Sequence, residues 1–355
     1  MSQEYAHGSA FVSTLKSYLL KRENYEKLLN VKSAHEVVSA LSGTTYGKSI
    51  SGLVEEDIII ELEKKLLHDY YEIFEKTLMI TPSRALYFMK TVFYKHELST
   101  LNTILRMLAE GLSSEEAMKR IIPVGRYDHK RCETIVTAKT VQHAIGTIEE
   151  SALRQSLIPL LRTYELTRST LPLEATIERF ALTKIWEQAG YLRGWDREEI
   201  RHLVGQEIDL VNMICLARAK KLGLEQSVIQ EVLIPIHYFT TPSNFKVALR
   251  SPSPTDALRA LTPGYYEHIL AKLLVLCETE KSFSPVEIGF KRYLTNEYLT
   301  TFQGLRFHAG VILAYLNLKF YEINDLKAIA VGKANNLSAD RIKQTLILHQ
   351  PIISK

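Results

Sequence analysis

Apolar residues recur at three- and four-residue steps along most of the chain. In EEDIIIELEKKLLHDYYEIFEKTLMI, Ile58, Leu62, Leu66, Tyr70 and Ile73 fall on one face, the spacing of a long amphipathic helix. The same period runs through TPSRALYFMKTVFYKHELSTLNTILRMLAEG, where Thr81 is expected to cap and Pro82 to occupy the first turn, and through EEIRHLVGQEIDLVNMICLARAKKLG. No stretch alternates polar and apolar residues between hairpin turns, so the pattern predicts an all-α protein.

Comparing the chain with itself adds a second level of order. A short capped helix is expected three times, in SAHEVVSAL (Ser33 to Leu41), TAKTVQHAI (Thr137 to Ile145) and SPTDALRAL (Ser253 to Leu261). Each opens on a hydroxyl able to accept an unpaired backbone N–H, and Glu36, Thr140 and Asp256 stand three positions later, two of them acidic as a capping box favours. A closing signature follows in LSSEEAMKRIIP (Leu112 to Pro123), LEQSVIQEVLIP (Leu224 to Pro235) and LSADRIKQTLIL (Leu337 to Leu348), its first leucines 112 and 113 residues apart. Just before it, Ile104, Ile214 and Ile329 sit in similar mixtures of Asn, Leu and Ile, which implies two extra residues in the middle copy.

Two ordered markers recurring together predict three homologous helical domains, 1–125 (with an N-terminal helix), 126–240 and 241–355. The linkers fall near Val124 to Glu133 and near Ile236 to Pro252, the second rich in turn formers. Packed about an approximate threefold axis, such domains would form a wide, bowl-like body rather than a cleft.

Composition narrows the function classes. With 355 residues, 46% hydrophobic and 24% charged, and only 16 Gly and 11 Pro, the chain is folded and long enough for more than one core. The three cysteines, Cys132, Cys215 and Cys277, are scattered, which argues against a disulfide framework or a zinc cluster and for a reducing, cytoplasmic setting. A net charge of +4 names no partner. The densest basic stretch, Lys119, Arg120, Arg126, Lys130 and Arg131, reads as a solvated linker, and nucleic-acid binding is not expected. The N-terminus lacks a signal-peptide arrangement and no window reaches the ~18 apolar residues of a span, so any membrane association is expected to be peripheral.

Candidate chemistry is sparse. GTTYGKS (Gly43 to Ser49) resembles a phosphate loop, but it has three residues between its glycines instead of four and follows a helix, so it reads as a helix-ending turn. His129 and Cys132 lack a second ligand pair. Asp196, Glu198 and Glu199 with His202 suit the first turn of a helix, where carboxylates complement the dipole. HExxH, GxSxG, CxxC and dinucleotide-binding glycine motifs are all absent. The tyrosines at 70, 71, 87, 94, 265 and 266 read as packing residues. No catalytic, cofactor-binding or metal-ligating residue is assigned, and no small-molecule substrate is expected.

AHEVVSALSGTTYG near the start, EIDLVNMICLARAKKLG in the middle and GVILAYLNLKFYEINDLKAIAVGKANNLS near the end together resemble the C subunit of A-type and V-type rotary ATPases, the family that includes the d subunit of V-ATPases. The likeness covers nearly the whole chain in the family's order. Leu41, Thr44 and Tyr46 fit its early Leu-Thr-Tyr turn, Asp209 and Asn212 its middle acidic-Asn helix, and Glu322, Leu326 and Ile329 its last long helix. The segment from Tyr5 to Leu20 departs from it, carrying only Lys16 where the family often has several arginines.

The resemblance implies a funnel-like, three-domain helical body with no catalysis or cofactor of its own, peripheral on the cytoplasmic face of the membrane. There it would join the central shaft (subunits D and F) to the proteolipid rotor ring of a V-type ATPase or A-type ATP synthase and transmit torque for hydrogen ion or other ion transport. No shaft- or ring-binding residue is assigned. The competing reading is an all-helical repeat scaffold of another assembly.

Overall fold

The computed structural model describes residues 2–53, 57–280, 282–304 and 306–349, and among these every element is helical apart from an isolated bridge between Val124 and Tyr127. None of the described helices is long and apolar enough to cross a membrane.

After a leading helix (Ser2–Ser17), one order of elements occurs three times. An opening pair of short helices comes first: Arg22–Asn30 with Ala34–Ser42, His129–Val136 with Val141–Gly146, and Pro242–Arg250 with Pro254–Ala260. One or more middle helices follow: Ile58–Ile80 in the first copy, chiefly Leu171–Tyr191 in the second, and Glu267–Glu280 with Ser284–Thr300 in the third. Then come a long helix (Ser83–Ala109, Gly194–Lys221, Ala309–Ala334) and a short closing helix (Ser114–Arg120, Gln226–Val232, Ala339–Thr345).

Local chemistry sets these boundaries. The second helix of each opening pair is capped by a hydroxyl, Ser33, Thr140 or Ser253, which accepts the N–H of Glu36, His143 or Asp256. The middle copy therefore sits one helical turn later than TAKTVQHAI suggests: Thr140, not Thr137, is the cap, and Ile148 is buried where Leu41 and Leu261 are. Each long helix ends in the same αL turn, at Gly111, Gly223 and Asn336, with the next leucine's N–H returning five residues to Met107, Ala219 or Gly332. These turns are 112 and 113 residues apart, so the middle copy has no insertion, and buried Leu216 rather than partly exposed Ile214 matches Ile104 and Ile329. Thr81 does not cap the first long helix either. Its hydroxyl donates back to the Thr77 carbonyl at 2.6 Å, and the first helical bond runs from Leu86 N–H to Pro82 O.

The chain gathers into two compact units, one from 1–86, 193–203 and 284–355, the other from 87–192 and 204–283. In the first, the third long helix is buried on nearly all sides and packs against the leading helix, Ile58–Ile80 and Ala34–Ser42, with Leu62, Leu66, Tyr70 and Phe74 on the facing stripe. In the second, Leu171–Tyr191 packs on Ser151–Leu157 and Gln226–Val232 through Leu173, Ile177, Leu182 and Ile185.

Candidate functional site

The long helices carry polar residues at equivalent buried positions. Glu97, Asp209 and Glu322 are 112 and 113 residues apart, and one turn further on stand Thr100, Asn212 and Asp325, all six buried. Such groups are tolerated inside only when partnered. Their partners are chiefly backbone groups outside the helices, joined by a few side chains.

The second residue of each pair holds the chain just past the closing helix. Thr100 Oγ1 donates to the Ile122 carbonyl (3.3 Å), Asn212 accepts the Ile234 N–H (2.8 Å) while donating to its carbonyl (2.9 Å), and Asp325 accepts the N–H groups of Ile347 (2.6 Å) and Leu348 (2.8 Å). The first residue holds a segment leading into an opening pair. Glu97 accepts the N–H (3.0 Å) and Nε (2.9 Å) of Arg126, and Asp209 accepts the N–H groups of Tyr238, Phe239 and Thr240 at 2.7 to 3.1 Å, with the hydroxyls of Thr240 and Tyr266. Glu322 turns instead to the front of the chain, accepting the Leu20 N–H and the Tyr46 hydroxyl (2.6 Å).

A third contact repeats this pattern. Lys220 donates to the carbonyls of Leu249 and Ser251, and Lys333, its equivalent, donates to that of Leu29. The third copy thus grips the first copy's opening pair much as the second copy grips the third's.

Burial shapes the charges at the Glu322 clasp. It pushes the Glu322 carboxyl up against the opposing pull of Lys319, whose Nζ donates to Tyr46 Oη at 2.8 Å and lies 3.7 Å from Asp69. Asp325 is pushed up to about 7 by burial, with the Ile347 and Leu348 N–H groups and then Tyr25 and Arg292 pulling the other way. The buried phenols of Tyr46 and Tyr25 are pushed far up, first by burial and then by Glu322 and Asp325 respectively.

The starts of the three long helices meet at one carboxylate. Asp196 accepts the Ala309 N–H (2.7 Å), Arg84 Nε (3.0 Å) and the Tyr5 hydroxyl (2.9 Å), and residues 84, 196 and 309 are equivalent positions, again 112 and 113 apart. An acid at the first turn of a helix is favoured by the dipole, and this one serves two helices at once.

The other sequence candidates fall in separate places. GTTYGKS forms turns after Ala34–Ser42 and delivers Tyr46 to Glu322. A Cβ on Gly47 would lie 2.3 Å from the Ser42 carbonyl oxygen, so the glycine serves backbone approach. His129 is exposed, whereas Cys132 is buried with its thiol on the Tyr127 carbonyl. No cluster of three or more potential metal-ligating residues occurs among the described residues. Beyond Asp196, Glu199 accepts from Thr301 and His202 pairs with Glu297, while Glu198 is exposed. Within the basic stretch, Lys119 pairs with Glu115, Arg126 with Glu97 and Arg131 with Glu149.

Sequence reasoning missed Glu97, Thr100, Asp325, Lys220 and Lys333. For Glu97 the signal was an acid recurring at 97, 209 and 322, and for Lys220 and Lys333 a lysine 113 residues apart; Thr100 and Asp325 share only a polar residue at 100, 212 and 325.

Several proteins are similar in sequence along most of their length. The C subunit of the A-type ATP synthase of Methanocaldococcus jannaschii is 22% identical over 344 residues, covering 97% of this chain and 86% of that protein. The proteins of the same name from Pyrococcus abyssi (24% over 340 residues, 96% and 89%) and Methanosarcina acetivorans (24% over 357 residues, 98% and 94%) are likewise similar end to end. The profile of the ATP synthase (C/AC39) subunit family matches residues 9–345, and the chain belongs to that family.

Proposed function

We propose that the chain is the non-catalytic central-stalk connector of an A-type or V-type rotary ATPase, coupling subunits D and F to the proteolipid rotor ring at the cytoplasmic face of the membrane. The observation that carries this reading is the family match over residues 9–345, with relatives aligned over nearly their full length. In this reading the frame is three domains, 1–125, 126–240 and 241–355, set about an approximate threefold axis in a funnel-like body. Three features support it: the recurrence of clasps and αL turns at 112 and 113 residues, the grip of the third copy on the first, and the meeting of positions 84, 196 and 309. Torque transmission asks for stiffness, and long helices pinned by buried, partnered polar groups supply it.

The test is light scattering after size exclusion, of the chain alone and mixed with the D–F pair and with the detergent-solubilised ring of the same organism. A stoichiometric complex with either is expected, without ATP turnover by the chain alone. Failure to bind both would overturn the proposal in favour of a helical scaffold of another assembly.

A further inference from the structure

The three clasps differ in how their partners are tethered. Arg126 lies 29 residues along the chain from Glu97, and Tyr238 to Thr240 lie 29 to 31 from Asp209, whereas Leu20 and Tyr46 lie 302 and 276 residues from Glu322. The near segments are continuous, on their upstream side, with the closing helix that the same pair of side chains secures. The far segment has no such covalent neighbour in the third copy.

The chemistry differs in the same sense. Asp209 holds three consecutive backbone N–H groups, which leave only if the backbone moves. Apart from Lys319 on its own helix, Glu322 holds one backbone N–H and one tyrosine hydroxyl, and these can part from it. If they did, Glu322 would still face the Lys319 ammonium at 3.5 Å, itself near Asp69, so the open form strands no lone buried charge. Other polar ties of the segment among the described residues, such as Lys333 to the Leu29 carbonyl and Glu26 to His349 and Lys343, are again made by side chains.

We propose that the contact between the third long helix and residues 18–46 is the seam of the fold, a clasp that opens and recloses as a unit while those at Glu97 and Asp209 stay shut. Opening frees Tyr25, Leu29, Val37, Leu41 and Tyr46 together and uncovers one face of the third long helix.

The test is hydrogen exchange read by mass spectrometry on the full chain across sub-denaturing urea. Residues 18–46 are expected to exchange through an opening at least tenfold more populated than the one exposing 234–240. Glu322→Gln should raise exchange at 18–46 by a further tenfold or more, and the milder Tyr46→Phe by about threefold, with 234–240 unchanged in both. The proposal is overturned if 18–46 and 234–240 exchange together in the wild-type chain, or if both variants accelerate the two segments equally.

Discussion

The linkers at 122–127 and 234–241, set back from the expected Val124 to Glu133 and Ile236 to Pro252 because His129–Val136 and Pro242–Arg250 are helices, occupy the same place in successive copies and solve one problem differently. Both are non-helical chain crossing a buried acid. In the first, Val124 and Tyr127 pair their own N–H and carbonyl groups at 3.0 Å around Gly125, whose φ is +52°, so Glu97 receives only Arg126. A Cβ at Gly125 would lie 1.9 Å from the Glu97 carboxylate, which makes that approach conditional on glycine. The second linker has no such internal pair, and its three consecutive N–H groups go to Asp209, while Phe239 stacks on Tyr265 at 3.7 Å between centroids. The number of backbone hydrogen bonds a buried acid must accept from a linker is the number of N–H groups the linker's own turn leaves over.

Substitutions can break that comparison. Asp209→Ala would orphan three part-buried N–H groups and is expected to cost about 3 kcal/mol, read as a shift in urea midpoint by the fluorescence of Trp186, which packs 6.0 Å from Tyr238. Glu97→Ala should cost about 2 kcal/mol, because Arg126 is 60% exposed and recovers water. Gly125→Ala should cost a similar ~2 kcal/mol by strain and by displacing the same carboxylate. The double variant should then fall short of the sum, and additivity would show that the glycine and the acid act separately.

Carrying the comparison to the third copy gives smaller effects. Tyr46→Phe removes one of several donors to Glu322 and is expected to lower stability by about 1 kcal/mol in the same urea assay. The last effect is a pH slope. The folded chain holds a proton on Asp325 up to about pH 7 that the unfolded chain releases near 4, so this group's contribution is greatest at low pH and is lost as pH rises through that window. Around it lie Tyr25, Arg292 and Glu322. Thermal midpoints between pH 5.5 and 8 should fall less steeply in Asp325→Asn than in the wild-type chain, and equal slopes would remove Asp325 as the source.

Much of this was legible in the letters. Helical periodicity marked the long elements, and the closing signature fell on the closing helices in all three copies, because a leucine after an αL turn is local chemistry, as are the Ser113 and Ser338 caps of the first and third closing helices. The slip in the middle copy has the same origin. Thr137 and Thr140 are one turn apart, and a pattern that repeats every turn reads almost equally well in either register until burial chooses Ile148. Tyr46, Asp209, Asn212 and Glu322 were found through the family likeness, while the role of Tyr46 depended on a partner 276 residues away. Thr100 gave no signal alone, since a hydroxyl in a helix usually bonds within its own turn.

Three equivalent positions meet around Asp196, yet each brings something different: a guanidinium from Arg84, a carboxylate, and a bare N–H from Ala309. Three separate identical polypeptides would bring three like groups to such a junction, where acids repel and arginines have nothing to accept them. Strung on one polypeptide, the copies are free to diverge, so donor and acceptor fit at a place where strict symmetry would forbid it. On the proposed three-domain reading, the asymmetry of that single residue is what tandem copies make available and self-assembly of equals does not.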